Sequence, residues 1–184
     1  MFQLSKLCML FSFLSFSLCF PQTKNIKAPV NRVAPPFSLP ACDGKVMNLS
    51  DLKGSVILLE FFQTGCANCQ AAAPKLESLY KKYKDQGFRV VGISFDKPLV
   101  PSVAERAKAV EPFIKEYGLT YPVLLGDGSI WANYIQKPGF NSPFIVFIDR
   151  KGLIVGQYEE GDDHKVCDIV FLEGQVKQLL KGGR

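Results

Sequence analysis

Apolar and polar positions along most of the chain follow two patterns, short β-favouring runs and amphipathic stretches with helical spacing. Nearly unbroken apolar runs predict strands at residues 56–62, 88–95 and 143–149. A turn at 150–152 joins the last of these strands to an antiparallel partner at 153–158. Strands that alternate with helical stretches indicate an α/β sheet.

Three stretches have apolar residues at the three- and four-residue steps of a helix, with polar residues between them. Their apolar faces are Ala73, Leu76, Tyr80 and Tyr83; Ala107, Val110, Ile114 and Tyr117; and Ile169, Leu172, Val176, Leu179 and Leu180. Pro74 lies inside the first stretch and predicts a kink there. Pro112 predicts either a split in the second stretch or the first position of a new helix.

A hairpin precedes the first of these strands. Residues 37–39 and 46–49 flank Asp43-Gly44, a dipeptide typical of the tight turns that join antiparallel strands. The chain has 184 residues, which gives room for one ordinary domain and an extension. We place that domain at residues 37–184.

The beginning of the chain differs sharply from the rest. Lys6 is its single charge, and the apolar, serine-rich run that follows is shorter than the roughly 20 residues of a membrane-spanning helix. Residues 1–20 therefore predict a signal peptide, with an uncleaved N-terminal anchor as the alternative. Cys19 raises a third interpretation, a lipoprotein, although Leu18 is larger than the residue usual before a lipidated cysteine. Residues 21–36 have the polar, proline-bearing composition of a tether.

Charge and composition favour a globular exported protein that does not bind nucleic acid. The net charge of +5 comes from 22 basic and 17 acidic residues, and the lysines are spread along the chain rather than gathered in one stripe. Apolar residues make up 47% of the chain, enough for a packed core. We expect a monomer that is attached to a membrane only if its N-terminal segment is retained.

The cysteines carry the candidate chemistry, because cysteines outside the cytoplasm are usually paired or chemically active. Those beyond the predicted signal peptide are Cys42, Cys66, Cys69 and Cys167. Residues three apart on a helix have Cβ atoms about 5 to 6 Å apart, so Cys66 and Cys69 can form a bridge after a modest adjustment. For Cys42 and Cys167 a structural pairing, a reduced state and a redox relay all stay open.

The surroundings of this dithiol predict a junction between a strand and a helix. Residues 63–65 form the turn after the strand, so Cys66 lies at a helix N-terminus, where unpaired amides and the positive end of the helix dipole stabilise a thiolate. Cys66 is therefore the predicted nucleophile, and Cys69, one turn inside, is the resolving thiol. No dissociable cofactor is expected, because the redox group is the Cys66–Cys69 disulfide itself.

The segment from Glu60 to Cys69 resembles the active-site segment of TlpA-like (ResA-type) extracytoplasmic thioredoxins, which belong to the AhpC/TSA and redoxin superfamily. Further similar stretches follow in the family's order: Phe37 to Leu52, Gly92 to Asp96, Tyr117 to Leu125 and Ser142 to Gly152. The resemblance covers roughly residues 34–181. It implies a thioredoxin fold, an α/β architecture with a central mixed β-sheet flanked by helices, and with an added N-terminal β-hairpin.

The resemblance also implies roles for residues near the dithiol. Pro143 corresponds to the family's cis proline, and the backbone of Ser142 beside it would pair with an extended segment of a partner protein. The alternative is a trans proline that merely starts a strand. Glu60 corresponds to a buried acid that holds its proton to unusually high pH and exchanges it with Cys69. The alternative is a strand-end glutamate that reaches solvent.

Some positions depart from the family pattern. Gly65 stands where such proteins usually have a tryptophan, which predicts a more open substrate-binding surface. Ala72 stands where some members have a second acid. Ala67 and Asn68, between the two cysteines, offer neither a positive charge nor a histidine to stabilise the thiolate. We therefore expect a moderately reducing protein.

Together these features predict an enzyme, an exported thiol-disulfide oxidoreductase of the periplasm or cell envelope. It would exchange the Cys66–Cys69 disulfide with the thiols and disulfides of other proteins, act as a reductase, and receive electrons from an upstream donor. No metal ion is part of this prediction.

Other classes of function are weighed against this one. The alternative is a peroxiredoxin-like thiol peroxidase that uses Cys66. Two features of the sequence argue against it: Thr64 is one position closer to Cys66 than the threonine that peroxide chemistry prefers, and the sequence places no arginine beside it. A copper-binding dithiol needs a further soft ligand or an imidazole, and the single histidine, His164, lies in an acidic loop. An intact dithiol at a helix start argues against a non-catalytic binding module.

Overall fold

The centre of the molecule is a mixed, six-stranded β-sheet. The computed structural model describes residues 31–139, 141–159, 161 and 166–182. Its strands are β1 (Arg32–Val33), β2 (Ser38–Pro40), β3 (Val46–Asn48), β4 (Val56–Phe62), β5 (Phe88–Ser94), β6 (Val123–Leu125), β7 (Phe144–Ile148) and β8 (Leu153–Glu159). The six-stranded sheet has the order β1-β8-β7-β4-β5-β6, and β2 and β3 form a separate antiparallel hairpin. The predicted mixed sheet and hairpin are confirmed.

Helices cover one face of the sheet. They are α1 (Ala67–Tyr83), α2 (Val103–Tyr117) and α4 (Ile169–Lys181), whereas the short α3 (Gly128–Ile130), which runs into a π-helical turn at Trp131–Ile135, lies on the opposite face. The strands β4, β5 and β6 are parallel, and α1 and α2 are the crossovers between them. Leu76 of α1, Val110 of α2 and Leu172 of α4 are completely buried in one core layer. The three helices therefore pack on the same face.

The hairpin and the π-helical turn cover the opposite face. Leu39 of β2 and Tyr134 of the π-helical turn pack with Phe61 of β4 in a second core layer. The tight turn at Asp43-Gly44 is formed as predicted, with Gly44 at a φ of +83°, a conformation that glycine adopts without steric cost. An antiparallel bridge between Ala41 and Leu124 joins the hairpin to β6.

The predicted tether ends inside the fold. Arg32 and Val33 form β1, which pairs with Ile154 and Leu153 of β8, and Ala34 is buried. This pairing covers an edge of the sheet that would otherwise expose unpaired backbone groups. The predicted signal peptide or anchor at residues 1–20, with Cys19, lies outside the described residues. Of the helices in the described ranges, none has the length and apolar character needed to cross a membrane.

Both internal prolines lie within continuous helices. The helix α1 runs through Pro74 and α2 runs through Pro112, so the second helix is neither split nor restarted there. A proline removes one backbone hydrogen bond from a helix. The buried apolar face of each helix stabilises it across that position, since Leu76 and Phe113 close to the two prolines are packed in the core.

Candidate active site: a dithiol at the start of a helix

The dithiol lies where β4 passes into α1. Every residue of β4 is buried, so the strand fixes the position of the turn that follows it. Cys66 is the N-cap of α1, and its Sγ accepts a hydrogen bond from the backbone N–H of Cys69 at 3.2 Å. This contact satisfies one of the amides that a helix start leaves without an intrahelical partner. The structure thus places Cys66 at the helix N-terminus, as the sequence predicts.

Asp96, just beyond β5, holds the turn in front of Cys66. Its carboxylate accepts hydrogen bonds from the Thr64 backbone N–H at 3.0 Å and from the Thr64 hydroxyl at 2.8 Å. The Ser94 hydroxyl donates to the same carboxylate at 2.7 Å. The sequence analysis assigned no role to Asp96. Its place in the sequence could have indicated that role, because Asp96 directly follows the predicted strand at 88–95. That strand runs parallel to β4, and the carboxyl ends of parallel strands meet at one edge of a sheet.

The two sulfurs differ strongly in access. Cys66 is half-buried, whereas Cys69 is 0% exposed. Loss of hydration raises the pKa of the Cys69 thiol most, and the hydrogen bond with Cys66 raises it further; the Gln63 backbone opposes this rise, and the charge of Glu60 adds a smaller increase. The outer sulfur is therefore partly accessible, and the inner one holds its proton more firmly than an ordinary thiol does.

A cis peptide bond faces the outer sulfur. The bond between Ser142 and Pro143 is cis, the form that the family resemblance implies, and Pro143 is buried directly before β7. The thiol of Cys66 donates to the backbone oxygen of Ser142 at 3.5 Å. Gly65 is exposed, and a Cβ atom built there would meet no heavy atom within 4 Å. The surface around Cys66 is thus bounded by Ser142 on one side and open at Gly65.

Glu60 lies beneath the dithiol in the middle of β4. It is 1% exposed, so the alternative of a strand-end glutamate in solvent is wrong. Loss of hydration raises the pKa of Glu60 to about 8, and a hydrogen bond from the Tyr121 hydroxyl opposes this rise. Its charge makes a minor contribution to the raised pKa of the Cys69 thiol, which burial mainly causes. Tyr121 is a neighbour of the acid that the sequence analysis missed.

Comparison with known proteins places this geometry in a family. A model of the AhpC/TSA family matches residues 30–157 of the chain. The chain belongs to the AhpC/TSA family. It is 32% identical over 154 residues to the thiol-disulfide oxidoreductase ResA of Bacillus thuringiensis (strain Al Hakam), a match that covers 83% of this chain and 80% of the relative. The ResA protein of Bacillus subtilis (strain 168) is 38% identical over 66% of this chain and 63% of its own length.

A solved structure supports the same conclusion. The crystal structure of a thiol:disulfide interchange protein of the thioredoxin family from Chlorobium tepidum TLS superimposes with a TM-score of 0.67 and 25% sequence identity. That match covers 82% of this chain and 97% of the other. The predicted thioredoxin fold and the predicted enzyme class, a thioredoxin-like thiol-disulfide oxidoreductase, are confirmed.

The thiol peroxidase alternative within the AhpC/TSA family is not favoured. The hydroxyl of Thr64 donates to Asp96, so it is engaged away from the sulfur of Cys66. The buried guanidinium of Arg106 donates to the backbone oxygen of Gly126. Neither group is arranged to stabilise a peroxide at Cys66. His164, which the copper-binding alternative would need, lies outside the described residues.

The other two cysteines of the described residues lie in different surroundings. Cys42 follows β2, and its backbone N–H donates to Val123 of β6 at 2.9 Å. Burial raises the pKa of Cys42 to about 11, with smaller contributions from Glu111 and other charges. Cys167 precedes α4, and its thiol donates to the backbone oxygen of Asn68, between the two active-site cysteines, at 3.3 Å.

Proposed function

We propose that this member of the AhpC/TSA family is an extracytoplasmic reductase of protein disulfides that uses Cys66 as nucleophile and Cys69 as resolving thiol. The observation that carries the proposal is the asymmetry of the two sulfurs. Cys66 caps the helix and is accessible, whereas Cys69 is fully buried one turn further in. A thiolate at a helix N-terminus is stabilised by amides and by the helix dipole.

The reaction consists of two displacements. The Cys66 thiolate attacks one sulfur of the partner disulfide, which forms a mixed disulfide and releases the other partner sulfur as a thiolate that takes up a proton. Cys69 then gives its proton to Glu60 and attacks the Cys66 sulfur, which releases the second partner sulfur as a thiolate that takes up a proton. Two electrons pass to the partner, and the chain is left with a Cys66–Cys69 disulfide. An upstream donor restores the dithiol.

Ser142 and Gly65 supply the surface that receives the partner. The Ser142 oxygen already faces Cys66, and Pro143 holds that backbone directly before β7. An extended segment of a partner that pairs with this backbone would bring its sulfur to Cys66 by strand addition. The open space at Gly65 leaves room for the same segment. Pro143, Ser142 and Gly65 therefore set how a partner approaches.

The cell envelope is the place proposed for this chemistry. Residues 1–20 have the outline of a signal peptide, and Cys19 or an uncleaved anchor would attach the domain to a membrane. In such a compartment disulfides persist, and a reductase has substrates. The lack of a positive charge or histidine at Ala67 and Asn68 supports the reducing direction. The domain acts as a monomer in this proposal.

Reduction of a disulfide-bonded test protein checks the proposal. Wild type with excess dithiothreitol should accelerate the reduction of insulin disulfides, and Cys66→Ser should remove the acceleration. Cys42→Ser is the matched control, because it removes a thiol that lies by β6 and should leave the rate unchanged. Peroxide consumption is measured in parallel. Rapid peroxide turnover that needs Cys66 but not Cys69 would overturn the proposal.

A further inference from the structure

The buried acid has a single side-chain donor in the described residues. The Tyr121 hydroxyl donates to Oε2 of Glu60 over 3.4 Å, and Oε1 has no hydrogen-bond partner there. Tyr121 is itself buried, 4% exposed, at the entrance to β6. A buried carboxylate without a donor is costly, so the one hydroxyl that reaches it favours its ionised form.

A glycine opposite Glu60 makes this contact sterically feasible. In the parallel register of β4 and β5, the partner of Glu60 is Gly92. A Cβ atom at Gly92 would lie 3.1 Å from Cε1 of Phe62 and 3.4 Å from Cε2 of Tyr121. A Cβ atom here would press most closely on Phe62, and a larger side chain would also crowd the Tyr121 ring. Because the position is glycine, the ring can lie beside β5 and reach the acid on β4.

The segment that carries Tyr121 is fastened to the helix that carries the dithiol. Glu77 of α1 accepts hydrogen bonds from the Thr120 backbone N–H at 2.8 Å and from the Thr120 hydroxyl at 2.6 Å. The ring of Tyr80, also on α1, meets Tyr121 edge to face with centroids 6.1 Å apart. These contacts hold the Tyr121 side chain in register with Glu60 and Cys69.

We propose that Tyr121 is a positioning residue of the exchange reaction: its hydroxyl orients the Glu60 carboxyl and stabilises the ionised form that accepts the Cys69 proton. Oε2 is bound to Tyr121, so Oε1 is the oxygen that receives the proton, directly or through one water molecule. The inference rests on the proposed function of Cys69 as resolving thiol. It assigns Tyr121 a role that neither the spacing of the motif nor the family resemblance indicates.

The charged and titratable groups around Glu60 define the expected pH effect. Cys69 of α1 and Tyr121 before β6 interact with Glu60 directly, while Cys66 acts on Cys69 and Glu77 acts on Tyr121. The neighbouring strands contribute Gly92 and Ile145, which do not titrate. Burial raises the pKa of Glu60, and the Tyr121 hydroxyl lowers it. Loss of that hydroxyl therefore raises the pKa further and leaves less carboxylate at neutral pH.

The test compares Tyr121→Phe with Tyr80→Phe in the full chain. Both variants remove one hydroxyl from adjoining rings, but only the first loses a contact to Glu60. The titration of the Glu60 carboxyl in the reduced protein is followed by ¹³C NMR, with Glu60→Gln to assign the signal. In Tyr121→Phe the midpoint should move to higher pH, and in Tyr80→Phe it should match wild type.

Kinetics provide the second readout. Release of a mixed disulfide between Cys66 and a reporter peptide should slow about threefold to tenfold at pH 7 in Tyr121→Phe, the effect of losing one hydrogen bond of ordinary strength, and should recover at higher pH. In a Glu60→Gln background, Tyr121→Phe should cause no further slowing. A slower release with an unmoved pH profile would indicate a merely structural role and overturn the inference.

The outcomes for Tyr121 and for the proposed function can be told apart. If wild type reduces disulfides and the Glu60 midpoint is the same in Tyr121→Phe and wild type, the positioning role alone is wrong. If wild type reduces no disulfide, the proposed function is wrong, while the carboxyl titration still decides whether Tyr121 controls Glu60.

Discussion

The buried carboxyl of Glu60 should make the stability of the protein depend on pH, and Glu60→Gln should remove that dependence. Burial raises the pKa of Glu60 to about 8 from an ordinary value of 4.5. Between these values the folded protein holds a proton that the unfolded chain has released. The stabilisation is therefore fully present below pH 4.5 and is lost as pH rises towards 8.

The size of the effect follows from the width of this window. One proton held by the folded state alone changes the free energy of unfolding by about 1.4 kcal/mol per pH unit. From about pH 5 to about pH 8, wild type should lose on the order of 3 kcal/mol through Glu60. Glutamine has nearly the same shape and does not titrate. The difference between the free energies of unfolding of wild type and Glu60→Gln therefore reports the titration of Glu60 alone.

Urea unfolding of the reduced protein at several pH values measures the effect. The chain has one tryptophan, Trp131, whose fluorescence reports unfolding. Glu116→Gln, which changes an exposed glutamate on α2, is the matched control and should follow wild type. If wild type and Glu60→Gln lose stability in parallel between pH 5 and pH 8, Glu60 does not hold a proton in the folded state and the reasoning is refuted.

Further predictions concern the dithiol and its supports. Glu60→Gln should slow the step in which Cys69 is deprotonated, as seen in the release of a mixed disulfide; a rate and pH profile equal to wild type would contradict the role of the acid. Asp96→Ala should lower the free energy of unfolding by about 2 kcal/mol because it leaves Thr64 without its acceptor, whereas Asp85→Ala, in an exposed 3₁₀-helical turn, should not. At pH 8 only about a thousandth of Cys42 is thiolate, because its pKa is raised to about 11, so iodoacetamide should label it far more slowly than Cys66, as mass spectrometry can show.

Continuous apolar runs made the central strands predictable from the sequence. The run at Val56–Phe62 became β4 with the same bounds, because a strand buried on both faces has few polar interruptions. The place of Cys66 was also predictable, since a short turn between a strand and a helix leaves the first cysteine at the helix start. Local sequence determines these features.

Contacts between distant segments were not predictable in the same way. The two-residue strand β1 shows no periodicity of its own and exists because β8 offers an edge to pair with. Asp96 and Thr64 are 32 residues apart, and Tyr121 and Glu60 are 61 apart, so only the order of the strands brings them together. The continuation of α2 through Pro112 likewise depends on packing of its buried face rather than on local preference.

The most direct test of the central claim is to trap partners through the two cysteines separately. Exchange leaves a covalent mixed disulfide on the attacking sulfur, and the second thiol must release it. Cys69→Ser, expressed with the N-terminal segment intact, should therefore accumulate reductant-sensitive adducts with other proteins in the exported fraction. Cys66→Ser should accumulate few, because the remaining sulfur is fully buried. Equal adducts through either cysteine would contradict the assignment of nucleophile and resolving thiol, and adducts from neither would contradict protein disulfide exchange itself.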